Sequence, residues 1–159
     1  VTRLTLSQAK EMGIIPAPKS RKQRTGNVHI TKAKWDAKRI DGGIVLVIPE
    51  SMPSLNEWKL WHWAKQQRFK SRLSDNITLL ALTLNRPRFE MARVEVVHYF
   101  RTNRRRDTDN MAPKFLLDAL HGAGVLVDDN SEVLELPEPV FKVDSTAWRT
   151  EIYVYRLTK

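Results

Sequence analysis

Gly42-Gly43-Ile44-Val45-Leu46-Val47-Ile48-Pro49 is the stretch on which the fold turns. A continuous, mostly β-branched apolar run between a glycine pair and a proline reads as a strand, and the lack of alternation predicts one covered on both faces. Downstream, Ser51 to Leu55 reads as a loop, with Pro53 and Ser54 as helix-start signals. The helix is predicted from about Asn56 to Leu84, because Trp58, Trp61, Phe69, Leu73, Ile77, Leu80 and Leu84 recur at spacings of three and four. Its exposed side carries Lys59, Lys65, Arg68, Lys70 and Arg72, and Ser74-Asp75-Asn76 is the expected place for any break. Pro87 ends the helix, and Arg93 to Arg101 is the next strand. A second helix runs from Asn110 or Met111 to His121, with Pro113 in its first turn and Gly122 or Gly124 at its end. Glu132–Leu136 and Val140–Val143 read as a strand interrupted by Pro137 and Pro139, suited to an edge or bulge, and Trp148–Leu157 closes the fold. The predicted class is α/β (α+β), a small mixed sheet with two main helices in the order β-α-β-α-β-β.

The chain has 159 residues, which suits one folded domain, assigned to residues 41–159. Residues 1–40 read as a basic arm that either touches phosphates or serves as a solubilising tail. Charge is uneven along the sequence. Of the net +9, residues 1–40 hold ten Lys/Arg against two acids, residues 41–106 twelve against six, and residues 107–159 five against ten. A basic front half with carboxylates gathered later suits a polyanion, and nucleic acid is the expected partner. The apolar runs are far short of the roughly 20 residues that span a bilayer. The N-terminus also lacks the apolar core of a secretory signal. With no cysteine, thiolate metal sites and disulfides are excluded. The expectation is a soluble cytoplasmic protein with no membrane partner. No P-loop or other phosphate-cradling glycine motif calls for a small-molecule cofactor. His29, His62, His98 and His121 have no ligand spacing and read as surface or core residues. Trp58 and Trp61 read first as core or dimer contacts and second as base-stacking residues.

The chemistry concentrates between Arg104 and Asp129. Arg104-Arg105-Arg106 leads into Asp107-Thr108-Asp109-Asn110, a helix follows, and Asp128-Asp129 closes it. Two aspartates two residues apart before a helix can turn toward one point. A glycine turn after the helix can return Asp128 or Asp129 to it. Clustered carboxylates raise one another's pKa unless a cation relieves them, and a hard divalent ion such as Mg²⁺ takes such oxygen ligands. Arginines beside them can hold a phosphate. The plainer account makes Asp109 or Asn110 a helix cap and Asp128-Asp129-Asn130 a turn.

Arg104 to Asn110, then Lys114, Leu117-Asp118-Ala119-Leu120, Gly124 and Val127-Asp128-Asp129, resemble the signature of RusA-type Holliday junction resolvases. Pro53-Ser54-Leu55-Asn56 after a strand is similar to a segment near the start of those proteins. The resemblance implies a RusA-like fold over about residues 43–157 and a homodimer that nicks four-way DNA junctions in pairs near the branch point. It implies Mg²⁺, with Mn²⁺ as substitute, on Asp107, Asp109 and Asp129, with Asp128 as an additional candidate, and a catalytic lysine at Lys114. The sequence departs from the family pattern in one extra residue, Pro113, before that lysine. Arg104, Arg105, Arg106, Lys59, Lys65, Arg68 and Lys70 are the expected DNA contacts. The resemblance implies action in the cytoplasm of a bacterial cell, from a cellular or phage gene. A flap or fork nuclease and a non-catalytic DNA-binding module of the same fold are the alternatives.

Overall fold

A computed structural model describes residues 33–111 and 113–158, so residues 1–32 of the expected arm lie outside the described residues. Among the described residues the fold is α+β, with one six-stranded, mostly antiparallel sheet and three α-helices. The strands are β1 (Asp36–Ile40), β2 (Gly43–Ile48), β3 (Ala92–Phe100), β4 (Leu134–Glu135), β5 (Val140–Val143) and β6 (Arg149–Arg156). The helices are α1 (Leu55–Leu60), α2 (Trp63–Thr83) and α3 (Lys114–Gly122). Sheet order is β1-β2-β6-β3, with β4 and β5 both running parallel to β3 along its far edge.

Residues 36–40, expected in the arm, are instead the edge strand β1, paired antiparallel with β2 from Asp36 opposite Val47 to Ile40 opposite Gly43. Lys38, Arg39 and Asp36 make the segment look like charged linker, which is how natural sheets protect an edge. The Asp41-Gly42 pair between the strands, with Gly42 at φ +72°, is the turn signal that marks the hairpin.

The β2 run is covered on one face rather than both. Ile44, Leu46 and Ile48 are buried with Ile152 and Val154 of β6 and Val94 and Val96 of β3. The helix face of the core is completed by Phe69, Leu73 and Ile77 of α2 and Leu116 and Leu120 of α3. Val45 and Val47 are half-buried on the other face. There Arg149 lies 3.7 Å over the Tyr99 ring, and Tyr153 donates a 2.6 Å hydrogen bond to Glu151. Polar residues in the neighbouring strands, invisible from β2 alone, make that second face a surface.

The long helix breaks at Trp61-His62 rather than at residues 74–76. His62 caps α2, its Nδ1 accepting the Ala64 N–H at 3.3 Å, and at the end of α1 the Gln66 amide donates to the carbonyl of Trp61 and to that of Trp58, which also accepts the Trp61 N–H. At the expected break, Asn76 and Thr78 donate to the carbonyls of Arg72 and Ser74 one turn back, so their polar groups are satisfied inside the helix. The break brings Trp58 and Trp61 against each other, Trp58 against Phe115 and both against Phe69. α3 starts later than predicted, at Lys114, because Thr108–Met111 winds as a 3₁₀ turn and Pro113 occupies the cap position.

His98 is buried toward the Phe100 end of β3. Thr150 donates to the Glu50 carbonyl, so its hydroxyl oxygen accepts from His98 Nδ1 at 3.3 Å, which leaves Nε2 as a lone pair with no partner among the described residues. Burial pushes the imidazole down from 6.5 to about 4. Between these two values the unfolded chain takes up a proton that the folded one refuses. Stability is therefore complete above about pH 6.5 and declines as pH falls toward 4, by up to about 1.4 kcal/mol per unit. Urea unfolding at pH 7 and pH 5 should register this loss, and His98→Leu should remove the part that His98 contributes. An identical slope in the variant would assign the pH dependence to other groups.

Candidate active site

The Phe100 end of β3 opens into a loop, Arg101 to Asp107, that carries the arginine triplet. Arg106 is half-buried. Its guanidinium lies 3.7 Å over the Phe100 ring and donates to the carbonyls of Thr102 and Arg104 at 3.0 and 2.9 Å. That makes Arg106 the strut that shapes the loop, while Arg104 and Arg105 are exposed.

Asp107 starts the 3₁₀ turn by accepting the Asp109 N–H at 3.3 Å, a capping role that the sequence suggested for Asp109 or Asn110 instead. Asn110 Oδ1 accepts the Asn56 backbone N–H at 3.1 Å, which ties the turn to the start of α1. The Pro53-to-Asn56 segment is thereby brought to the acidic turn. Ser54 and Glu57 close a reciprocal capping box there, at 2.8 and 3.2 Å. A cavity of about 670 Å³ lies between them, lined among others by Arg105, Asp107 and Asn110, with Met52, Trp61, Phe100 and Met111 beneath. Met52 was not among the expected site residues, since an apolar residue carries no chemical signature until the chain around it closes.

The second acidic pair divides in role. Both oxygens of Asp128 are engaged, Oδ1 by the N–H groups of Asp129 and Asn130 and Oδ2 by the Asn130 amide at 2.7 Å. Asp128 thus forms the turn of the plainer account. Asp129 is exposed, and its carboxylate accepts no hydrogen bond among the described residues. It shares a cleft of about 270 Å³ with Lys114 and Asp118 at the N-terminal end of α3.

Asp107 and Asp129 therefore line different clefts, and Asp109, exposed on the 3₁₀ turn, lines neither. Among the described residues no group of three or more Asp, Glu or His side chains is close enough together to hold a metal ion. After α3 the chain pairs with Phe89, through Phe89 N–H to the Val125 carbonyl at 2.8 Å and Val127 N–H to the Phe89 carbonyl at 3.2 Å. That pairing lies just before β3, and the loop after it returns Asp129 to Pro113 and Lys114, next along the chain from the turn that carries Asp109. By donor chemistry the set still suits a hard divalent cation, since Asp109 and Asp129 have no engaged oxygens among the described residues and Asp107 has one free.

The expected cationic helix face is present, with Lys59, Lys65, Arg68 and Lys70 all exposed. Lys65 lies 3.9 Å over the Trp61 ring and Lys70 5.5 Å over Trp58. Away from this end, Asp144 is held well below the usual carboxylate range by hydrogen bonds from the Thr146 hydroxyl, Arg149 and the backbone N–H groups of Ala147 and Thr146. It fastens the β5–β6 turn. No helix among the described residues is long and apolar enough to cross a membrane.

Fold and site together define an α+β domain that presents arginines and carboxylates at one end of a largely antiparallel sheet. Compared with models of known protein families and with curated proteins, the chain matches none.

Proposed function

We propose that this protein is a Mg²⁺-dependent endodeoxyribonuclease that resolves four-way DNA junctions by paired nicks, acting as a homodimer in the cytoplasm. The observation that carries the reading is the pairing of exposed Arg104 and Arg105 with Asp107 and Asp109 on one loop and turn, anchored to α1 through Asn56 and Asn110. Asp107, Asp109 and Asp129 would hold the cation, which when bound lowers the pKa of a water and offsets charge on the scissile phosphate. Arg104 and Arg105 seat the flanking backbone. Lys114, beside Asp129, offsets negative charge on the phosphate that is cut. Lys59, Lys65, Arg68 and Lys70 extend the positive surface along α1 and α2 over the duplex arms.

Incubating the protein with a mobile four-way junction, a fork and a linear duplex in Mg²⁺ tests the substrate class. Symmetric nicks on the junction alone are expected, and equal cutting of the fork would replace the assignment with a flap or fork nuclease. Arg105→Ala should weaken junction binding and reduce the slope of log K against log salt by about 1. A slope equal to wild type would remove Arg105 from phosphate contact.

A further inference from the structure

We infer that the cavity beside Asp107 receives a single unstacked nucleotide base next to the phosphate that is cut. This rests on the nuclease reading and adds to it the element of the site that grips and reads the substrate. The cavity volume of about 670 Å³ falls in the range of small-molecule sites. Its floor is recessed and apolar, with Met52, Phe100 and Met111 each less than a tenth exposed and the Trp61 ring on one wall. A paired base cannot reach such a floor without leaving the stack, whereas an extruded base can lie against the Trp61 wall and the thioether surface of Met52 and Met111.

The rim supplies the polar complement that a nucleotide needs. Asn110 Oδ1 is held by the Asn56 N–H, which fixes the amide with its NH₂ group as the available donor. Base edges carry acceptors that such a donor can bind. Exposed Arg105 on the same rim matches the phosphate attached to the base, and Asp107 lies on the same wall, so a base bound here brings its own phosphate to Asp107. Arg106, tied to the loop carbonyls and to Phe100, holds that wall in shape without substrate. Arg105 would then act on every sequence alike, and any preference for a cutting sequence would arise at Asn110.

The test uses the full chain with four-way junctions carrying 2-aminopurine at each position around the branch point in turn, read by fluorescence in Ca²⁺ and by nicking in Mg²⁺. Ser51 is exposed on the cavity lining, so Ser51→Trp fills the space from the rim without entering the core. Wild type should change the emission strongly at one position adjoining the cut. Ser51→Trp, folded by circular dichroism, should lose that change and nick roughly tenfold more slowly, the loss expected for one stacked base. Wild-type nicking with no position responding, or an unaltered response in Ser51→Trp, overturns the base pocket and leaves the nuclease reading standing. A wild type that neither binds nor nicks junctions overturns both. Conversion of a dimer to a monomer by Ser51→Trp, seen in light scattering, overturns the proposal by showing that a second copy fills the cavity.

Discussion

Asp107→Asn and Asp129→Asn are each expected to lower Mg²⁺-dependent nicking of a four-way junction on the order of a thousandfold or more, while junction binding in Ca²⁺ should stay near wild type. Asparagine keeps the shape and one acceptor oxygen, so the Asp109 N–H that Asp107 caps retains its partner and the 3₁₀ turn survives. What is lost is the negative charge that a divalent ion needs. The informative control is Asp128→Asn. Its carboxylate is occupied by Asp129, Asn130 and the Asn130 amide, and an asparagine there still accepts the two backbone N–H bonds. Nicking by Asp128→Asn should remain within a few-fold of wild type. Loss in Asp128→Asn with retention in Asp129→Asn would reverse the roles of the pair, and full activity in Asp107→Asn would remove the arginine-flanked turn from the chemistry.

Gly43→Ala should destabilise the folded protein by about 3 kcal/mol, on the order of 10 °C in Tm, because a Cβ on Gly43 would run into the backbone carbonyl oxygen of Val154. Gly43 opens β2, where the strand pairs Tyr155 of β6 on one side and Ile40 of β1 on the other. The obstacle is main chain, so no rotamer change relieves it, and β2 must move relative to β6. Gly42 provides the comparison. Its φ of +72° strains an alanine, but nothing lies within 4 Å of the added methyl. Gly42→Ala should therefore cost only about 1 kcal/mol, the conformational part alone. Thermal unfolding of the two variants checks the order, and a Gly42→Ala loss equal to that of Gly43→Ala would mean that steric contact with β6 is not the cause.

The elements themselves were largely legible. The apolar runs of β2 and β3, the alternation of β6 and the three-and-four spacing of α2 and α3 are local patterns, imposed by the periods at which side chains return to one face. The split at His62 was not legible, because the contrary signal at Ser74-Asp75-Asn76 is stronger locally and loses only when Asn76 and Thr78 bond back into their own helix. β1 was hidden by its charge, although Asp41-Gly42 announced the turn. The chemical inventory, arginines followed by aspartates across a short helix, was equally plain in the chain.

What the sequence determined by itself is which residues are present in which order, and hence the secondary elements and the candidate donors, because periodicity and chemical type are properties of neighbours along a chain. Only the tertiary structure decided which carboxylates are free and which make turns, that Arg106 braces a loop while Arg105 faces outward, and that Asp107 and Asp129 line separate clefts. Those outcomes depend on contacts such as Asn56 with Asn110 and Phe89 with Leu126, which set how the loops around α3 are laid down. Such pairings join residues distant in sequence, and their energies come from contacts that no local window contains.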